Sequence, residues 1–231
     1  WSLRLSVRTA VFHTAKRSSI LLGTTRILKG IKMAIITEKV TEVKHWSNKT
    51  FTFKTTRKPG MRFKNGEFVM MGLKHEGKNI IRAYSVASAN HEEFLEWLSI
   101  KVEDGELTSK LQNLKVGDEV IMNDKATGTL VIDYLLPGRN LYLVATGTGL
   151  APFLSIINDP ETYENFDKVI LTHTVQQPDE LVYREQLEFF NTEKEFFTQG
   201  KFQYFNTLTK AEWPRQGRIT KWLKEGTLWP A

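Results

Sequence analysis

The sequence predicts two unlike halves: an antiparallel β-barrel, then an α/β domain with a parallel sheet. Three observations carry this reading. Up to about residue 102 the chain runs in short strand-length segments between turns, without long helical periodicity. Leu141 to Ala145 is a continuous apolar strand, the kind a sheet covered on both faces needs. Directly after it come Gly147-Thr148-Gly149 and then Pro152, which suits the first turn of a helix.

The elements follow in order. Residues 34–45 read as a first strand. Phe51 to Thr55 alternates, which predicts a strand buried on one face. Pro59-Gly60 marks a turn, and Phe68 to Leu73 is an apolar run of strand length. Glu76 to Asn79 turns the chain into Ile81 to Ser88. Trp97 to Val102 alternates again, with Leu98, Ile100 and Val102 on one face. Leu107, Leu111 and Leu114 then fall at helical spacing, and Val116 to Val120 is a turn into another strand. Leu136-Pro137-Gly138 reads as the domain boundary, which divides the chain into 33–136 and 137–231. In the second half, Val169 to His173 and Phe202 to Phe205 predict two more strands. Asp179 to Phe190 predicts a helix with Leu181, Leu187 and Phe190 inward, and Ile219 to Lys224 another.

Composition removes several function classes. There is no cysteine, which excludes disulfides, thiolate metal sites and cysteine nucleophiles from these residues. The five histidines (His13, His45, His75, His91, His173) lack metal-ligand spacing, so no metal site is expected. The net charge of +6 is misleading. Residues 1–32 hold seven basic residues and no acid, and the remainder has 25 Lys and Arg against 26 Asp and Glu. A nucleic-acid partner loses its support. No run of 18 apolar residues occurs, so no membrane partner is expected. Residues 1–32 read as a leader, disordered or non-native, since Met33 precedes the first strand directly.

Two stretches carry chemistry. In Arg82-Ala83-Tyr84-Ser85, strand alternation puts Arg82 and Tyr84 on one face. A guanidinium fork suits a pyrophosphate, and a phenol ring beside it offers a flat stacking surface. In Gly147 to Pro152, a strand, a Gly-x-Gly turn and a helix start present backbone N–H groups to phosphate. Each stretch alone also fits an ordinary strand or an ordinary helix start.

Together, in this order, they resemble the ferredoxin–NADP reductase superfamily, and its bacterial-type subfamily in particular. Arg82-Ala83-Tyr84-Ser85, Gly105-Glu106-Leu107-Thr108-Ser109, Lys115-Val116-Gly117-Asp118, Thr127-Gly128-Thr129 and Thr146 to Pro152 carry the resemblance over residues 34–231. It implies an FAD-binding barrel followed by a Rossmann-like NADP-binding domain. It implies an enzyme, a flavoprotein oxidoreductase passing electrons between NADPH and ferredoxin or flavodoxin. By the same resemblance, Arg82 would pair with the FAD pyrophosphate, Tyr84 would stack on the isoalloxazine ring, and Ser85 would hydrogen-bond near flavin N5. Ala83 belongs to the same cofactor-binding strand. Leu98, Ser99, Ile100 and Lys101 would line the adenosine or ribityl side, and Glu106, Leu107 and Thr108 would meet the phosphates through main-chain groups. Thr148 would sit where the flavin and nicotinamide sites meet, and Gly147, Gly149, Leu150, Ala151 and Pro152 would bracket the NADPH pyrophosphate. Gln176, Lys210 and Arg218 stand where bacterial relatives hold the 2′-phosphate with arginines.

The resemblance also brings departures. No acidic residue stands at the tip of the second strand to hold a free ribose 2′-OH, and lysine lacks the bidentate fork, so NADP is favoured over NAD with weakened discrimination. The family's α/β domain continues past the equivalent of Ala231, so this domain is expected to be truncated, and the chain to bind FAD while transferring hydride poorly. Lys54, Arg57, Lys58, Arg62 and Lys64 form an acid-free basic run that could dock an acidic, transient partner. The expected protein is a cytoplasmic monomer. Two alternatives stay open: a reductase component feeding an oxygenase, and a non-catalytic flavin- or nucleotide-binding module.

Overall fold

The computed structural model describes residues 34–192 and 197–227, so the leader expectation lies outside the described residues. The first half is one curled antiparallel sheet of β1 (Ile35–His45), β2 (Thr50–Thr56), β3 (Phe68–His75), β4 (Lys78–Ser85), β5 (Phe94–Ile100) and β6 (Glu119–Asn123). Their spatial order is β4-β3-β6-β1-β2-β5. The predicted barrel is thus an open, strongly curled sheet with β4 and β5 as its two edges.

Local chemistry sets each piece. Glu76 and Gly77 both take positive φ, 49° and 75°, which gives the tight turn a two-residue hairpin needs, and β3 pairs with β4 in unbroken register. Inside the curl, Phe51 and Phe53 stack with centroids 6.0 Å apart, and Trp97 Nε1 donates to Thr55 Oγ1 at 3.2 Å. Leu107, Leu111 and Leu114 enter the same core, as their spacing predicts, although α1 itself spans only Thr108–Leu111.

The second half is a parallel sheet, β7 (Asn140–Thr146), β8 (Lys168–Val175) and β9 (Phe202–Leu208), in the order β7-β8-β9. Helix α2 (Ala151–Ile157) follows the glycine turn, and α3 (Pro160–Asn165) precedes β8, capped by Asp159 accepting from Glu161 N. Helices α4 (Arg184–Thr192) and α5 (Ile219–Lys224) complete the described residues.

Three expectations need correction. Strand β2 is buried on both faces, because Trp46 covers Thr52 through an Nε1 hydrogen bond of 3.0 Å. Strand β5 stops at Ile100, and Val102 is exposed. The helix predicted over 179–190 is broken. A 3-10 turn at Pro178–Glu180 is followed by Tyr183 at φ +58°, and α4 begins only at Arg184. Leu187 and Phe190 still reach the main core, while Leu181 packs instead with Val175 and Leu208.

The two halves share a core. Ala87 and Leu98 of the curled sheet lie in one cluster with Leu150, Ala151 and Leu154. Asn65 pins the contact: its Nδ2 donates to Asp159 at 2.5 Å, and its Oδ1 accepts from Ser155 Oγ and from Asn90 N, both at 2.8 Å. Beside it, Gly66 has φ +98°, and a Cβ there would stand 1.9 Å from the Leu130 carbonyl oxygen. Gly60 also has positive φ but open space around it. Gly66→Ala is therefore expected to lower the melting temperature by roughly 5–10 °C, and Gly60→Ala by roughly 2–4 °C, the cost of φ alone. Equal shifts in thermal unfolding would show that the contact at Gly66 does not matter.

Candidate active site

Strands β4 and β5 approach as a wedge. Just beyond β4, Ala87 N–H donates to the Glu96 carbonyl at 2.8 Å, which closes the seam at that end. Further along, no backbone pairing joins the two strands among the described residues, and the Tyr84 hydroxyl reaches Ser99 Oγ at 3.2 Å instead. The open part of the wedge is bordered by the Arg82, Ala83, Tyr84 and Ser85 segment on one side and by Leu98, Ser99 and Ile100 on the other, with Lys101 just past the end of β5. The sequence-predicted residues of these two segments thus come together on facing edges.

Their environments differ. Arg82 and Ala83 are exposed, Tyr84 and Ser85 half-buried, and Leu98 and Ser99 buried. Burial pushes the Tyr84 phenol above its ordinary value, against the opposing effect of the Ser99 hydrogen bond, so it stays neutral. Arg82 donates to the Ile81 carbonyl at 2.9 Å and to Glu106 Oε2 at 2.5 Å. The guanidinium therefore already satisfies one anionic oxygen at the start of α1. Gly105, just before it, has no room for a side chain: a Cβ there would meet Thr108 Oγ1 at 2.1 Å. The N–H groups of Glu106, Leu107 and Thr108 have no hydrogen-bond partner among the described residues. Lys101 turns away from the wedge and donates to the Ser47 carbonyl at 2.7 Å.

The glycine turn lies against β5 and completes the site. Residues Gly147–Leu150 form a 3-10 turn, and Leu150 packs with Leu98. Gly147 takes φ +54°, and a Cβ on Gly147 or Gly149 would meet no atom within 4 Å. The turn therefore offers bare main chain to an approaching group, as a pyrophosphate requires. Ala151 and Pro152 are buried at the start of α2, and half-buried Thr148 sits between the glycines. Gln176, Lys210 and Arg218 are gathered at the carboxyl edge of the same sheet. Lys210 N donates to Gln176 O at 3.1 Å, and Gly217 N donates to Leu208 O at 2.7 Å, which brings Arg218 alongside. All three side chains are exposed.

His173 stands behind the glycine turn. It lies within β8, fully buried, with Nε2 3.1 Å from the Gly147 carbonyl oxygen and Nδ1 without a partner. With Nε2–H donating, the neutral ring holds the carbonyl of the positive-φ glycine. Sequence reasoning also missed Asn65, Glu96 and Tyr183. Single polar residues in strands and loops give no periodic signal, and their partners lie far along the chain.

The basic run is largely paired within the fold and so is not the free docking face the sequence suggests. Arg57 is spent inside the fold, donating to the carbonyls of Asn90, Glu92 and Met61 at 2.8, 2.5 and 2.6 Å. Lys54 pairs with Glu42 at 2.9 Å, Lys58 lies 3.8 Å from Asp124, and Lys64 pairs with Asp133. Among the described residues only Arg62 of the five has neither an ion pair nor such a strap.

Comparison with known proteins agrees with this geometry. Residues 35–127 match the oxidoreductase FAD-binding domain family, and residues 143–229 match the oxidoreductase NAD-binding domain family. The ferredoxin–NADP reductase of Pseudomonas aeruginosa is 52% identical over 197 residues, covering 84% of this chain and 76% of that protein. The chain belongs to the ferredoxin–NADP reductase family. The family's enzyme from Azotobacter vinelandii is 50% identical over 194 residues, 83% of this chain and 75% of that one. A solved structure of a ferredoxin NADP+ reductase from Neisseria gonorrhoeae with bound FAD and NADP superposes with a TM-score of 0.77 at 33% identity, covering 83% of this chain and 76% of that one.

Both cofactors of this family fit the residues present. The Arg82 fork donates to an anionic oxygen, the wedge is bounded by a neutral aromatic and a hydroxyl, and the glycine turn leaves its main chain uncovered.

Burial pushes the His173 pKa down from 6.5 to about 4, so the folded ring stays neutral where the unfolded ring takes a proton. The folded state then loses stability as pH falls from 6.5 toward 4, by up to about 3 kcal/mol. In His173→Asn that part of the pH dependence is expected to vanish from denaturant unfolding, and an unchanged slope would contradict the assignment.

Proposed function

We propose that this chain is a flavoprotein oxidoreductase that moves electrons between NADPH and ferredoxin through FAD. The observation that carries the reading is the wedge between the β4 and β5 edges, with the glycine turn packed against β5 through Leu98 and Leu150. One surface thus serves a planar redox ring and a dinucleotide that must react with it. When bound, FAD supplies the conversion of a two-electron hydride donor into single-electron transfer.

The chain's own residues bind and orient. Arg82 would turn from Glu106 to the FAD pyrophosphate, a better bidentate anion, with the N–H groups of Glu106 to Thr108 beside it. Tyr84, held by Ser99, would give its ring to stacking while its hydroxyl stays satisfied. Ser85 would offer a hydroxyl to the polar edge of the flavin. Gly147 to Pro152 would seat the NADPH pyrophosphate at the start of α2, with Thr148 facing the junction of the two cofactors. His173 would fix the Gly147 carbonyl so that the turn keeps its shape. Lys210 and Arg218, with Gln176, would take the 2′-phosphate.

Flavodoxin as a second acceptor, a monomeric state and a cytoplasmic location belong to the same proposal. The last rests on NADPH being a reductant held inside cells. No described helix is long and apolar enough to cross a membrane. Any electrostatic docking would draw on Arg62 rather than on Arg57.

Two charge-assisted contacts to the 2′-phosphate predict that kcat/KM for FAD reduction favours NADPH over NADH by about tenfold to a hundredfold. Arg218→Ala should shrink that ratio to within a few-fold, chiefly through KM. A preference for NADH in the unaltered chain would overturn the assignment of Gln176, Lys210 and Arg218, and a protein that takes up no FAD would overturn the function.

A further inference from the structure

The connection from β8 to α4 bends toward the curled sheet instead of continuing as a helix. Tyr183 takes φ +58°, a left-handed conformation that costs a bulky residue on the order of 1–2 kcal/mol. The bend aims its side chain across the domain contact. The hydroxyl donates to Glu96 Oε1 at 2.6 Å, and the ring lies 4.9 Å from that of Trp46. Glu180, in the 3-10 turn just before, receives Lys49 at 2.8 Å. Trp46 and Lys49 belong to the loop between β1 and β2, and Glu96 lies on β5 opposite Lys54. Every one of these contacts joins the nucleotide half to the curled sheet.

Glu96 is a costly residue at this place. Burial pushes its carboxyl up, while the Tyr183 hydrogen bond and the Lys54 charge pull the other way. A buried carboxylate needs such a donor, and removing it leaves an unsatisfied acceptor. Along β5, Glu96, Leu98 and Ile100 share a face. Leu98 touches the cluster of Leu150 and Ala151, and the residues after it line the wedge. At the other end of the contact, the bent connection leads directly from Gln176 at the carboxyl edge of β8. The Tyr183–Glu96 bond therefore ties the strand that flanks the flavin side to the segment that flanks the nucleotide side.

We infer that Tyr183 is a positioning residue for hydride transfer, acting through Glu96 to fix the nucleotide domain against β5. The inference rests on the reductase reading above. Hydride transfer requires the reacting atoms near van der Waals contact, and a 1 Å misplacement costs on the order of a hundredfold. Asn65 fastens the contact at Ser155 and Asp159, and the Tyr183–Glu96 hydrogen bond fastens it again at β5, the strand that flanks the wedge.

The test uses the full chain loaded with FAD, reduced in a single turnover by NADPH and by NADPH deuterated at C4. Tyr183→Phe keeps the ring against Trp46 and removes only the hydroxyl. It should slow FAD reduction about tenfold and raise the deuterium isotope effect, with the dissociation constant for NADP and the FAD absorption spectrum unchanged. Glu96→Gln keeps an acceptor and should stay within about threefold of the unaltered rate, whereas Glu96→Leu removes it and should match Tyr183→Phe. Unaltered rate and isotope effect in both Tyr183→Phe and Glu96→Leu would overturn the inference. So would a loss explained wholly by reduced FAD content, a purely structural role. If the unaltered, FAD-loaded chain is not reduced by NADPH at all, the reductase reading fails first.

Discussion

The structure depends on a sheet that curls far enough to bring its edges together but does not close. Six strands meet at β4 and β5, and a backbone hydrogen bond from Ala87 to Glu96 seals one end of the seam. Beyond that point the two edges diverge, and among the described residues the Tyr84–Ser99 hydrogen bond spans them. Unpaired edges are usually a liability that proteins cover or charge. Here the edge carries an arginine, a phenol and hydroxyls, and the glycine turn of the second half packs beside it. Curl, seam and domain contact are one constraint, because Leu98 belongs at once to the β5 edge and to the core of the nucleotide half.

Much of the fold was legible in the sequence because it rests on periodicity and turn chemistry. The alternation of Phe51 to Thr55, the apolar run Leu141 to Ala145 and the Leu107, Leu111, Leu114 spacing all mark elements that formed. What escaped was set by tertiary partners. The second buried face of β2 comes from Trp46, and nothing within Phe51 to Thr55 announces it. The helix expected from Asp179 breaks because Tyr183 reaches Glu96, a partner on the other half of the chain. The candidate site divides the same way. Arg82 to Ser85 and Gly147 to Pro152 were visible as motifs, and the motifs lie on neighbouring edges. The supports behind them, Asn65, His173 and Glu96, were not visible, since a single buried polar residue has no local signature.

Charge behaves similarly. Five basic residues between Lys54 and Lys64 look like a docking face in one dimension. In three, Arg57 fastens carbonyls from two loops and three lysines lie by carboxylates, so little of that charge remains free. Surface pairs of this kind contribute little to stability, but they decide how much field a partner sees. The pairing of Arg82 with Glu106 has a different meaning. It lies at the mouth of the wedge, where an incoming phosphate must compete with a carboxylate already on the chain.

FAD is expected to occupy the open wedge between β4 and β5. Amide hydrogen exchange with and without added FAD tests it directly. Occupancy of the wedge should slow exchange in Arg82–Ser85, Leu98–Lys101 and Glu106–Ser109, with little change at the β3–β4 turn around Glu76 and Gly77. Protection confined to other strands, or none at saturating FAD, would contradict it.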